Sequence, residues 1–99
     1  MDISILSKNF IKNLSSIPGI LGFCNINDSN KELKDSKTWG DALSITTDHG
    51  KANFNISIII SVDSTINNIA KQIKKQATFD FKNNELKINN INIYINGVK

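Results

Sequence analysis

The alternation of isoleucine with asparagine and serine in "NFNISIIISV", residues 53–62, most constrains what this chain can fold into. Side chains along a β-strand point alternately to the two faces of a sheet. Phe54, Ile56, Ile58, Ile60 and Val62 are therefore predicted to face one way, and Asn53, Asn55, Ser57, Ile59 and Ser61 the other. Such a strand belongs in a sheet with one buried face and one mostly wet face. The period then changes. Ile66, Ile69, Ala70, Ile73 and Ala77 recur at helical spacing, giving a helix capped by Ser64 or Asp63 whose apolar stripe packs on the sheet.

The rest of the chain supplies partners for these two elements. Residues 2–5 read as a short edge strand, and Ser7 as the cap of a first helix running to about Ser16, with Phe10, Ile11, Leu14 and Ile17 on one face. The residue before Pro18 avoids the helical region and Gly19 permits a sharp turn, so a strand is expected over 20–26. "NDSNKELKDSKTWGD", residues 27–41, is polar and without sustained period, and reads as one long loop with a helical turn around Lys31 to Lys34. "ALSITT" and "ANFNISIIISV" flank "DHGK", a hairpin turn with Gly50 available for positive φ. After a turn near "KNNE", a last strand over residues 86–98 sends Ile91, Ile93 and Ile95 inward and Asn90, Asn92, Tyr94 and Asn96 outward.

At 99 residues this is one domain, spanning residues 1–99. A chain of that size buries roughly 60–70% of the surface its unfolded form exposes. The expected class is α+β, in two layers: two helices on one face of a mostly antiparallel or mixed sheet of four to five strands.

The net charge is +3, and every basic residue is lysine. Without arginine the chain lacks the planar fork that reads guanine edges and grips phosphate in two places, which speaks against a dedicated nucleic-acid reader. The abundance of Ile, Asn and Lys has the look of an AT-rich bacterial genome.

Few residues could carry chemistry. Cys24 is the sole cysteine, so no internal disulfide can form; on an apolar strand it reads as a small buried hydrophobe. His49 falls in the hairpin turn and reads as an exposed loop residue. One Cys and one His cannot make the usual three or four metal ligands, and a Cys–His nucleophile pair would need the two to meet beside an orienting group. Glu32 and Glu85 are expected in loops, and the five glycines are turn punctuation rather than a phosphate cradle. The expectation is no enzyme, no cofactor and no metal. "MDISILSKNF" has no positive region leading into a long apolar run, and the stretch from Ile56 to Val62 falls far short of the roughly 20 residues a membrane span requires. The expected location is the cytoplasm.

The candidate surfaces are three. Asn55, Ser57, Ile59, Asn92 and Tyr94 form an uncharged open sheet face. Lys71, Lys74 and Lys75 make a basic stripe on the second helix, read either as a solvated flank or as a contact for acidic lipid, nucleic acid or protein. Trp39 either folds back on the core or anchors an interface.

The order of elements resembles the alkaline shock protein family of small bacterial envelope stress response proteins. The family ends in Leu-x-Val-x-x-Val-Asn-Val-x-Val-x-Gly-Val, and here Leu86, Ile88, Ile91, Asn92, Ile93, Ile95, Gly97 and Val98 stand in that pattern. Ile66, Ile69 and Ala70 match the family's Ile-Pro-x-Val-Ala helix entry, with Asn67 in place of proline. "HGKANFNISIII" resembles its Asp-Gly-Lys turn and strand, and "SSIPGILGF" its Gly-Val turn; the family's Thr-Gly before the last strand is Asn84-Glu85 here. The resemblance implies a non-enzymatic cytoplasmic interaction or scaffold module linked to cell-envelope or lipid homeostasis. Such a module acts through a protein partner or self-association and reaches the membrane only indirectly. A small basic RNA-binding module, supported by the lysine stripe, is the alternative.

Overall fold

Residues 3–82 and 87–99 are described by a computed structural model. Helix α1 (Ile3–Leu14) is followed by strands β1 (Ile20–Asn25) and β2 (Asp28–Leu33), a 3-10 helix (Ser36–Ala42), strands β3 (Leu43–Asp48) and β4 (Lys51–Ile60), helix α2 (Ile66–Phe81) and strand β5 (Lys87–Val98). The architecture is α+β, with both α-helices packed on one face of an open, mostly antiparallel five-stranded sheet.

Strand β4 organises the sheet. One edge pairs with β5 in parallel from Lys51 to Ile60. The other edge is shared: β3 pairs antiparallel along residues 51–56 and β1 along residues 58–60. β2 extends the β1 side as an antiparallel hairpin. β5 thus lies at the sheet border, and α2 is the crossover that parallel pairing requires. Between β3 and β4, His49 (φ 52°) and Gly50 (φ 76°) take the two left-handed positions of a tight hairpin, as the "DHGK" signal predicts.

Phe54, Ile56, Ile58 and Ile60 are buried beneath the helices, together with Phe10, Ile11, Leu14 and Ile17 from α1 and its exit and Ile69, Ile73, Ala77 and Phe81 from α2. At the centre, Phe10, Phe54 and Phe81 pack edge to face with one another, ring centroids 5.1–5.8 Å apart. Such aromatic pairs add about 0.5–1.5 kcal/mol each beyond their area.

Several sequence expectations are corrected. Ile3, Ser4 and Ile5 begin α1 rather than forming an edge strand, because Leu6, Phe10 and Leu14 continue the helical spacing one turn further back; Ser7 lies inside the helix. Asp2, the other end of that expected strand, lies outside the described residues. The helix closes at Leu14, since the hydroxyls of Ser15 and Ser16 donate to the carbonyls of Lys12 (2.6 Å) and Asn13 (2.7 Å) and cover the last turn.

The expected loop over 27–41 contains β2 and most of the 3-10 helix, and Lys31 to Leu33 are strand, not helical turn. Glu32 is therefore a strand residue. β2 buries only Leu33, so it has no hydrophobic period to display. Its turn is set by the Asn25 side chain, whose Oδ1 accepts from the amides of Asn27 (2.8 Å) and Asp28 (3.2 Å). The 3-10 helix is capped by Asp35, whose carboxylate accepts from the Lys37 amide at 3.0 Å.

β4 ends at Ile60, leaving Val62 in an exposed turn rather than in the core. The cap of α2 is Thr65, without a side-chain bond, in place of Ser64 or Asp63. Ile66 is exposed and Ala70 half-buried, while Phe81 completes the buried stripe. The turn expected near "KNNE", the position of Glu85 and the Leu86 start of the last strand lie outside the described residues.

Gly19 supplies the predicted sharp turn, at φ +101°. A Cβ there would collide with Ser64 Oγ and lie 3.1 Å from Ile69 Cδ1. Gly19→Ala is expected to cost roughly 1–3 kcal/mol through backbone strain and the clash. Gly50→Ala, also at positive φ (76°) but facing open space, should cost only a backbone part; equal melting temperatures for the two variants would contradict this packing.

Candidate partner-binding surface

The residues singled out from sequence fall in three places. Asn55, Asn92 and Tyr94 do meet on the open sheet face. The register sets Asn92 beside Asn55 and Tyr94 beside Ser57, where Asn92 Nδ2 donates to Asn55 Oδ1 at 3.0 Å and the Tyr94 hydroxyl reaches the same oxygen at 3.5 Å. Asn89 donates to Asn53 Oδ1 at 3.0 Å and Asn96 Nδ2 to Ser57 Oγ. These bonds form a ladder of uncharged amides, flanking a hollow of about 370 Å³ beside Ser44 and Ser29.

Ser57 and Ile59 are corrections to this face, being buried at 1% and 3% exposure. Alternation assigns them correctly to the side away from the helices, but that side is covered at its far end. Ile59 is flanked by Gly22 of β1 and Gly97 of β5, where an added Cβ would approach its side chain to 3.8 and 3.4 Å. The Glu32 carboxylate lies next to Gly22 and pairs with Lys99 Nζ at 3.1 Å, reaching from β2 to the end of β5.

Lys71, Lys74 and Lys75 stand on the opposite layer. They rim a groove of about 1040 Å³ between α2 and β5, floored by Ile88 and Ile91. Phe79, 66% exposed, and Lys82 join them there, with the Lys82 ammonium 4.9 Å from the centre of the Phe79 ring. The groove exists because α2 lies over the central strands, leaving Ile88, Ile91, Ile93 and Ile95 of β5 only half covered. Sequence reasoning missed Phe79, Lys82 and Ile88. The available signal was spacing: Phe79 is one turn beyond Lys75, and Lys82 is three turns beyond Lys71, on the same helix flank.

Trp39 belongs to neither surface. It sits in the 3-10 helix, half-buried, its ring 5.2 Å from Phe23, beside a hollow of about 360 Å³ that Lys8, Lys12 and Lys37 also line.

Cys24 and His49 do not meet. Cys24 is buried in β1, next to the Phe23 that pairs with Ile58 near the end of β4, whereas His49 is at the exposed turn before β4 begins, its Nδ1 2.6 Å from Asp48 Oδ1. Burial, and secondarily the negative charge of Glu32, push the Cys24 thiol above its ordinary pKa, the opposite of what a thiolate nucleophile needs. Among the described residues, no three or more His, Cys, Asp or Glu side chains are grouped to hold a metal ion, and no helix is long and apolar enough to cross a membrane.

Fold and surface together define an open-faced α+β domain whose exposed chemistry lies on both sides of the β5 border: neutral amides on one, lysine over isoleucine on the other. No protein-family model, curated protein or solved structure matches the chain.

Proposed function

We propose that this chain is a non-enzymatic interaction module of the alkaline shock protein type, working in the cytoplasm and reaching the cell envelope only through a protein partner. The observation that carries this reading is the apolar groove between α2 and β5, rimmed by Lys71, Lys74, Lys75 and Lys82. Apolar surface left open beside charge is the usual makeup of a contact site. The strand whose residues carry the family resemblance, β5, is also the strand that borders the groove. RNA binding has weaker support: the lysines are present, but Phe79 and Tyr94 lie on opposite layers and cannot stack neighbouring bases together.

The test is a photo-crosslinking amino acid placed at Phe79, with Thr47 on β3 as control, in the cells that produce the protein. The expected result is one discrete protein adduct at position 79, identified by mass spectrometry, and none at 47. No adduct at 79, or the same adducts at both positions, would sink the reading, and RNA recovered at 79 would promote the alternative.

A further inference from the structure

Resting on the interaction-module reading, we infer that the free edge of β5 accepts an acidic, extended segment of a partner protein as a sixth strand, its helix-side residues entering the groove beneath Lys71, Lys74, Lys75 and Lys82. β5 has twelve residues and, among the described residues, pairs with β4 alone. Its second backbone edge is a template for strand addition.

The usable length is set by two bulges. Ile88 pairs with Ala52 and Asn90 with Asn53, so Asn89 is extra; Ile95 pairs with Ile58 and Gly97 with Ile59, so Asn96 is extra. Between them Asn90 to Ile95 run in unbroken register with Asn53 to Ile58. Six such residues extend about 20 Å. The lysine row from Lys71 to Lys82 extends about 16 Å along α2, a comparable length; the window enters the groove at Ile91, and Ile88 and Asn89, which also line it, precede the window.

Charge selects the occupant. Among the described residues the groove is lined by Lys71, Lys74, Lys75 and Lys82 and by no carboxylate, and none of the four is ion-paired. Asp80, in the last turn of α2, accepts from Gln76 at 2.9 Å and Asn13 at 3.3 Å, on the side of α1. A second copy is a poor occupant, because antiparallel β5-to-β5 pairing would bring two lysine rows together across the seam. A partner strand with glutamate and apolar residues toward α2 meets lysine and isoleucine. Its alternate residues, facing the side of Asn92 and Tyr94, should be neutral and polar.

The probe is a fluorescent peptide, Thr-Glu-Thr-Leu-Thr-Glu-Thr-Glu, titrated with the full chain and read by anisotropy. Binding should weaken as salt rises, and should fall about tenfold at low salt in the Lys71→Gln, Lys74→Gln, Lys75→Gln variant. That variant should stay folded, since all three lysines are exposed. Two further peptides, N-methylated on alternate backbone nitrogens, isolate strand pairing from charge: one set faces β5 and its methylation should abolish binding, while the other should not. Equal binding by both methylated peptides, by a peptide with lysine for glutamate, or by none of them overturns the inference, as does tighter binding to poly-uridine RNA or anionic phospholipid vesicles. If an adduct forms at position 79 in cells while every peptide stays unbound, strand addition falls and the module reading stands; without any adduct both fall.

Discussion

Ile69→Asp is expected to abolish the folded state. Ile69 is 2% exposed, on the face of α2 that packs under Gly19 and against the sheet. The substitution loses about 2 kcal/mol of apolar burial and adds a carboxylate with no cation to meet it. Leaving such a charge uncompensated costs roughly 3–5 kcal/mol. The sum is comparable to the whole stability of an ordinary domain, about 5–15 kcal/mol. Far-ultraviolet circular dichroism at room temperature should show the loss directly. Ile66→Asp is the control, three residues earlier on the same helix but 55% exposed; it should melt within a few degrees of the parent. If both variants melt alike, α2 is rotated from the orientation described.

Phe81→Ala should lower the melting temperature by roughly 12–40 °C, from a cost of about 3–5 kcal/mol at about 4–8 °C per kcal/mol for a domain of this size. Phe81 closes the triad with Phe10 and Phe54, so its removal opens a cavity where α1, α2 and β4 meet and deletes two edge-to-face pairs. Phe79→Ala, two residues away on the groove, removes a ring of the same size from an exposed site and should change the melting temperature little. Calorimetry of both variants checks the contrast. A Phe79→Ala loss as large as that of Phe81→Ala would mean that the groove wall is core.

The expected layers, the β3–β4 hairpin and the inward stripe of β4 follow from local rules, and the structure contains them. What escaped the sequence reading is whatever depends on a neighbour. β2 shows no alternation because five of its six residues face solvent, and it is held by backbone pairing that any side chain permits. Alternation placed Ile59 on the correct side of the sheet yet could not tell that glycines at 22 and 97 leave room for it to be covered. The lysines of α2 were visible as a stripe; that the stripe overhangs half-covered isoleucines of β5 depends on where the helix comes to rest, which no local pattern encodes. Trp39 could be read as core or anchor, and it folds toward Phe23.

The sharing of one edge of β4 by β1 and β3 bears on how the chain emerges from the ribosome. Synthesis runs from the amino end, and the first 50 residues contain α1, β1, β2, the 3-10 helix and β3. In the finished sheet β1 and β3 follow one another along β4 rather than pairing with each other. The nascent half can therefore form its β1–β2 hairpin but cannot join it to β3 until residues 51–60 leave the exit tunnel. Phe10 likewise waits for Phe54 and then Phe81, so its two aromatic neighbours arrive in order of translation, the second about 70 residues after Phe10 itself. The domain is thus assembled late, around a template made in the middle of the chain.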